Sequence, residues 1–149
     1  MRIHRPTRRG TTLVESALVL SIVLLFILGV FEYSRLVFII QVAENAARDG
    51  ARYAVARTGD GTNLTDVQNY VRSRMANQQN ALSSLTVAVE NVNPDTGAVI
   101  TSTAWNDAPF GGAIRVRVSG TYRPMVPRLL RLPVSFPLQA TAMMGSEAN

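Results

Sequence analysis

The sequence predicts an α+β protein in which a long N-terminal transmembrane helix precedes a small antiparallel sheet domain that has a second helix. An uncharged apolar stretch lies near the N-terminus and continues, without a proline, into an alanine-rich helical segment. Beyond it, short runs of alternating apolar and polar residues are separated by glycine- and proline-containing turns. We therefore divide the chain into a basic leader at residues 1–10, a helix at residues 11–57 and an α+β head at residues 58–149.

Composition excludes several classes of function. The 149 residues are 47% hydrophobic and only 17% charged, with a mean hydropathy of +0.12, which is too apolar for a disordered chain or an ordinary soluble domain of this size. The sequence has no cysteine, and its one histidine, His4, lies in the leader. It therefore lacks the residues for a thiol nucleophile, a histidine-based triad or a Cys/His metal site. We expect no enzymatic activity, no cofactor and no metal.

The basic charge is concentrated in the leader. Of the formal net charge of +5, four positive charges come from Arg2, Arg5, Arg8 and Arg9. Residues 11–149 are therefore almost neutral, whereas nucleic-acid binding needs many phosphate-neutralising charges on one surface. We expect no nucleic-acid partner.

The apolar stretch at residues 13–31 predicts a membrane span. Its nineteen positions are uncharged except for Glu15, and as a helix they would measure ~28 Å against a hydrocarbon core of about 30 Å. The preceding arginines place the N-terminus in the cytoplasm and the head outside the cytoplasmic membrane. A chain this short could hardly bury such a segment as a core helix. A secretory signal peptide would have a shorter apolar stretch that ends at small residues.

The helix is expected to continue to residue 57. Alanines recur on one face at helical spacing and charged residues on another (Ala43, Ala47, Ala51, Ala54; Glu44, Arg48, Arg52). Gly50 costs roughly 1 kcal/mol relative to alanine inside a helix, which indicates that something approaches the backbone closely there. The sequence leaves open whether this is the protein's own sheet or another subunit.

The head is predicted to contain a second helix and four strands. The helix is placed at residues 63–80, with Asn63 or Thr62 as its N-cap. A turn at residues 93–97 would close a hairpin between the first two strands, and the arginines of the third strand would face solvent. The four strands are placed at residues 85–90, 99–104, 114–119 and 134–143.

Four prolines between residues 124 and 137 predict a stiff loop followed by an edge strand. We expect the leucines of this loop to pack on the core of the head. Contact with a partner or with the membrane surface is the alternative.

The residues from Arg8 to Glu15 carry the most informative pattern. A basic leader ends at Gly10, an uncharged stretch begins at Thr11, and Glu15 is the fifth residue after the glycine. This arrangement resembles the processing site of the type IV pilin superfamily. The resemblance implies that a prepilin peptidase cleaves after Gly10 on the cytoplasmic side, which leaves Thr11 as the N-terminus and the apolar helix in the membrane.

Glu15 also has a physical rationale. An acid near the bilayer centre costs about 2.5–3.5 kcal/mol on insertion scales, so it tends to be paired or functional. Cleavage would create an α-amino group on Thr11 that is largely cationic at neutral pH. In a bundle of helices, this amine can face the Glu15 carboxylate of a neighbouring subunit and set the axial register. Alternatively, Glu15 merely reaches the cytoplasmic interface.

Further residues extend the resemblance to one family. Together with Gly10 and Glu15, Gly29, residues 31–35 (FEYSR) and residues 45–54 (NAARDGARYA) resemble the TadE-like family, pseudopilins of the tight-adherence (Tad, Flp-type) pilus system. The resemblance implies a pseudopilin or minor pilin that takes part in assembling an adhesive pilus. Its implied partners are the prepilin peptidase, other pilins and pseudopilins, the inner-membrane assembly platform with its ATPase, and the lipid bilayer.

The candidate residues for subunit assembly are Glu15, Glu32, Tyr33, Arg35, Arg48 and Gly50. Glu32 and Arg35 can meet on one helical face near the outer interface, either as an assembly contact or only as a marker of the membrane exit. Tyr33 is typical of an interfacial aromatic residue. Two other functions remain open: a minor pseudopilin of a secretion or DNA-uptake filament, and an unprocessed membrane-anchored module that binds an extracytoplasmic ligand.

Overall fold

The computed structural model of the protein describes residues 9–75 and 78–146. Two helices and a three-stranded antiparallel sheet in the order β1-β2-β3 confirm the predicted α+β fold. Residues 1–8, which hold most of the predicted leader, lie outside the described residues. The elements are α1 (Arg9–Val55), α2 (Leu64–Arg74), β1 (Leu82–Val92), β2 (Ala113–Tyr122) and β3 (Phe136–Gly145), with short 3₁₀ turns at Gln78–Ala81 and Trp105–Asp107.

Helix α1 has two different environments along its length. Its 47 residues extend ~70 Å. Residues 11–26 are exposed throughout, and burial begins gradually at residues 28–32. The following turns pack on the sheet and on α2. The helix ends at Val55, two residues earlier than expected, where the Thr58 hydroxyl donates a hydrogen bond to the Val55 carbonyl oxygen at 2.8 Å.

An alanine face joins α1 to the sheet. The four alanines predicted to share one face are all 0% exposed, and they form the core together with Ile39 and the inward side chains of β2 (Ala43, Ala47, Ala51, Ala54; Val116, Val118). Small side chains let the sheet lie close to the helix backbone, as the spacing predicted.

Gly50 lies where α2 packs against α1. A Cβ atom on Gly50 would overlap the Cγ2 of Val71 and would lie 3.4 Å from the Cγ1 of Val116. The close approach inferred from the sequence is therefore made by the protein's own α2 and β2. This position is covered by the head itself.

Gly50→Ala is expected to destabilise the head by about 1–3 kcal/mol, because the new methyl group overpacks the contact with Val71. Val71→Ala in the same chain should recover much of this loss, so that the two substitutions are not additive when thermal unfolding is measured in detergent. Gly29→Ala is the matched control in the same helix, since its Cβ would meet nothing closer than 4.0 Å. A Gly50→Ala protein as stable as the Gly29→Ala protein would contradict this account.

The head differs from the prediction in its second strand. Residues 99–104 form no strand, and their one ladder contact is an isolated bridge between Val92 and Val99. Strand β1 pairs instead with β2, from Leu82 opposite Tyr122 to Val92 opposite Ala113. Helix α2 is also shorter than predicted. It ends at Arg74, and although Asn63 occupies the N-cap position, its side chain makes no capping hydrogen bond.

The arginines of β2 are not solvated as predicted. The register places Glu90 of β1 opposite Arg115, and the Glu90 carboxylate accepts hydrogen bonds from Arg115 at 2.6 Å and from Arg117 at 3.1 Å. All three side chains are half-buried on the sheet face opposite the alanines. The sequence reading missed this because strand alternation alone does not reveal which residue lies across the ladder.

The last predicted strand is confirmed as an edge strand and is displaced by two residues. β3 begins at Phe136, and its side chains at Leu138 and Ala140 are buried against the core. Val134, the first residue of the predicted strand, lies in the preceding loop and is exposed.

Candidate functional site at the exposed half of the long helix

The N-terminal half of α1 presents apolar side chains that nothing in the described chain covers. Its most apolar stretch has a mean hydropathy of 2.7, and none of that stretch is buried. The helix is therefore long and apolar enough to cross a membrane. The exposed large side chains are Leu13, Val14, Leu18, Val19, Leu20, Ile22, Val23, Leu24, Leu25, Phe26, Ile27, Val30 and Phe31.

Glu15 is an exposed acid inside this apolar surface. It lies one helical turn after Thr11, and its neighbours along a shallow groove of the helix include Ser16 and Val19. Among the side chains that the structure describes, no cation forms an ion pair with Glu15. The peptide bond between Gly10 and Thr11 lies in the first turn of α1, where helices fray most easily.

At the base of the head, Glu32 is the acceptor of a buried polar cluster. It is 3% exposed. The Tyr122 hydroxyl donates a hydrogen bond to one carboxylate oxygen, and the Met125 backbone N–H donates to the other at 3.0 Å. The Arg35 guanidinium lies 3.7 Å from the first oxygen and also donates a hydrogen bond to the Tyr122 oxygen at 3.2 Å. One carboxylate thus ties α1 to the end of β2 and to the loop that follows it.

Tyr122 stays a hydrogen-bond donor over a wide pH range. Its side chain is buried beneath the Arg35 guanidinium, which lies 5.2 Å from the ring centre. Burial, reinforced by the hydrogen bond to Glu32, raises the pKa of the Tyr122 hydroxyl to about 12. The hydroxyl is therefore neutral at physiological pH.

The structure brings together only some of the residues singled out in the sequence. Glu32 and Arg35 share the cluster, whereas Tyr33 is exposed on the helix surface beside it. Arg48 is ~24 Å farther along α1 and pairs with Glu44 at 3.5 Å on an exposed face. Gly50 is buried beneath α2.

Sequence reasoning missed Tyr122 and Met125 as partners of Glu32. They are 90 and 93 residues away along the chain, and no local pattern links them to the helix. An acid placed just after an apolar stretch was the available signal that a distant partner was needed.

The base of the head also contains an apolar cavity of about 220 Å³ beside the Glu32 cluster. It is partly open and lies between α1 on one side and the proline-rich loop and the start of β3 on the other. Its lining residues are Gly29, Glu32, Tyr33, Leu36, Tyr122, Pro124, Leu130, Leu132 and Phe136.

Comparison with known proteins bears on the long helix. Residues 10–52 match the family described as TadE-like protein, which confirms the resemblance predicted from the motifs. Searches of curated proteins and of solved structures gave no match. The matched segment contains the exposed half of α1, Glu15, the Glu32–Arg35 pair and Gly50. Over nearly all of its long helix, the chain is therefore similar to TadE-like proteins.

Proposed function

We propose that the protein is a membrane-anchored pseudopilin or minor pilin that takes part in assembling a Tad (Flp-type) adhesive pilus. The observation that carries this proposal is the division of one unbroken helix into an exposed apolar half and a half that forms the core of the head. The first half is suited to lipid and to the helices of other subunits. The second half holds the folded head at a fixed position relative to the first half. The family match over residues 10–52 supports the association with a pilus.

The proposed location is the cytoplasmic membrane, with a single span, the N-terminus in the cytoplasm and the head outside. The arginines of the leader support this orientation. A signal peptide released after the apolar stretch is a poor fit, because α1 continues without a break into core residues such as Ile39 and Ala43. Cleavage between the apolar stretch and these core residues would release the head from the membrane.

The proposed mechanism is lateral association of helices, without an enzymatic step. A prepilin peptidase would cleave after Gly10, and the new amine of Thr11 would pair with Glu15 of a neighbouring pilin or pseudopilin. The inner-membrane assembly platform would then act on the processed subunit. The exposure of Glu15 and the lack of an ion pair with the described cations of its own chain support a partner outside the chain.

Intact mass spectrometry of protein extracted from native membranes tests the proposal. We expect a chain that starts at Thr11. Gly10→Val should leave the full-length chain in the same membranes, because a branched side chain replaces the glycine next to the cleaved bond, whereas Gly29→Ala should be processed normally.

Three results would separate the alternatives. A wild-type chain that retains the leader would overturn processing and favour the unprocessed anchor. A chain that begins after residue 40 would favour secretion through a signal peptide. A processed chain that is found with another filament and never with Tad pili would favour a secretion or DNA-uptake pseudopilin.

A further inference from the structure

The loop between β2 and β3 lies level with the end of the exposed apolar helix. We call residues 123–135 the basal loop. Its Met125 backbone N–H binds the Glu32 carboxylate at 3.0 Å. A Cβ on Gly29 would be 4.0 Å from the Cδ2 of Leu130. Gly29 precedes Glu32 by three residues, ~4.5 Å along the helix, and belongs to the predicted span. The basal loop therefore reaches the level of the span itself.

The basal loop exposes apolar side chains at this level. Met125 is 65% exposed, Leu129 54% and Val134 72%. Leu130 turns inward to α1 and the apolar cavity, as expected for packing on the head, whereas Leu129 is exposed. The turn is fixed by backbone hydrogen bonds from Leu130 to Val126 and from Leu132 to Pro127. The outward side chains of Met125, Leu129 and Val134 line one shallow groove and thus form a single apolar surface on the loop.

The basal loop also carries positive charge that no described acid neutralises. Arg123, Arg128 and Arg131 are exposed, and residues 108–146 contain no aspartate or glutamate. None of the three forms an ion pair within the described residues. Glu32, the acid that binds the loop at Met125, is already engaged by Arg35 and Tyr122 as well. A surface that combines exposed apolar side chains with arginines is complementary to the boundary between acyl chains and anionic headgroups.

We propose that the basal loop docks the head on the lipid bilayer, with Leu129 and its apolar neighbours among the headgroups and the arginines bound to anionic lipid phosphates. This inference rests on the proposed function in one respect, namely that α1 spans the membrane. A single helix leaves a head free to tilt and rotate, because tilt is set by packing and by interfacial anchors. The docked loop would supply such an anchor and hold the head in one orientation before the subunit leaves the bilayer.

The experiment uses full-length protein in lipid nanodiscs. Because the chain has no cysteine, single substitutions give unique sites for an environment-sensitive fluorophore. Leu129→Cys reports on the basal loop and Val19→Cys on the span. Asp95→Cys, in the turn at the far end of β1, is the exposed control. We expect blue-shifted emission, quenched by nitroxide-labelled lipid, at positions 19 and 129 but not at position 95.

Lipid charge separates docking on a membrane from other causes of a blue shift. In nanodiscs with phosphatidylglycerol, the label at position 129 should be quenched more than in nanodiscs of phosphatidylcholine alone. Arg128→Gln and Arg131→Gln should each shift the docking equilibrium by roughly fivefold, as expected for arginines near an anionic surface. Arg52→Gln, an exposed arginine ~30 Å along α1 from Glu32, should change nothing.

The outcomes distinguish this inference from the proposed function. If the label at position 19 reports lipid and the label at position 129 reports water, docking of the basal loop is wrong and the membrane span stands. If position 129 is blue-shifted but lipid nitroxides do not quench it, the loop contacts protein and docking on lipid is overturned. If the label at position 19 also reports water, α1 does not span the membrane, and both docking of the basal loop and the proposed function are wrong.

Discussion

Replacing Glu32 with alanine is expected to destabilise the head by about 3–5 kcal/mol, the usual cost of removing one partner from a buried charged pair. The substitution removes the acceptor of the Tyr122 hydroxyl and of the Met125 backbone N–H, and it leaves the Arg35 guanidinium without its ion-pair partner. The Tyr122 hydroxyl is buried, so water replaces its lost hydrogen bond poorly. The loss should appear as a fall in melting temperature of more than about 12 °C for a domain of this size.

Circular dichroism of the full-length protein in detergent measures this effect. Glu44→Ala is the matched control on the same helix, because it removes a carboxylate whose ion pair with Arg48 is exposed and is worth only ~0.3–0.5 kcal/mol. The melting temperature of Tyr122→Phe should lie between those of Glu32→Ala and Glu44→Ala. This substitution removes one hydrogen bond to a charged group, about 1.5–3 kcal/mol, and keeps the ring. Equal melting temperatures for Glu32→Ala and Glu44→Ala would rule out a structural role for the cluster.

The position of this cluster explains why a buried carboxylate is useful there. Glu32 follows the last residue of the predicted span, and its hydrogen bonds fasten both β2 and the basal loop to α1. A hydrophobic contact at the same place would bury area without fixing direction, whereas hydrogen bonds to two oxygens restrict both distance and angle. The head is thereby held at a defined orientation to the exposed apolar half of the helix, which is the property that docking of the basal loop would use.

Local features of the sequence predicted the long helix well. Its length follows from the absence of proline, its core face from the alanine spacing, and the close approach at Gly50 from a glycine within a helix. Each of these signals involves residues within a few turns of one another. The same reasoning located the edge strand and the stiff loop before it.

Contacts between distant residues were not predictable in this way. Residues 99–104 have strand-forming side chains, and the Ile100 backbone N–H donates a hydrogen bond to the Asn91 carbonyl oxygen of β1. The chain then leaves β1 and continues to the buried Trp105, so no strand forms. The Glu32–Tyr122 contact and the binding of Glu90 to two arginines depend on how β2 is aligned with its neighbours. These pairings join residues far apart in the sequence, and alternation within one strand or helix does not show which residue lies opposite.

Pilus production is expected to fall more than about tenfold when Glu15 is replaced with glutamine, if Glu15 pairs with the Thr11 amine of a neighbouring subunit. A loss of ~1.4 kcal/mol at each subunit contact lowers an association constant tenfold. The side chain keeps its shape, and removing its charge makes membrane insertion easier. The protein should therefore accumulate in the membrane at normal levels while surface pili disappear.

The measurement compares pili sheared from cells with protein in the membrane fraction. Ser16→Ala is the matched control, because it changes the adjacent exposed residue without touching a charge. Glu15→Asp keeps the charge and shortens the side chain by one methylene, so partial production is expected if the carboxylate has to reach a fixed amine. Glu15 would have no part in assembly if the glutamine variant were piliated like the Ser16→Ala strain. A parallel loss from the membrane fraction would instead assign Glu15 to insertion or stability, because an assembly contact affects only the step after the helix is in the bilayer.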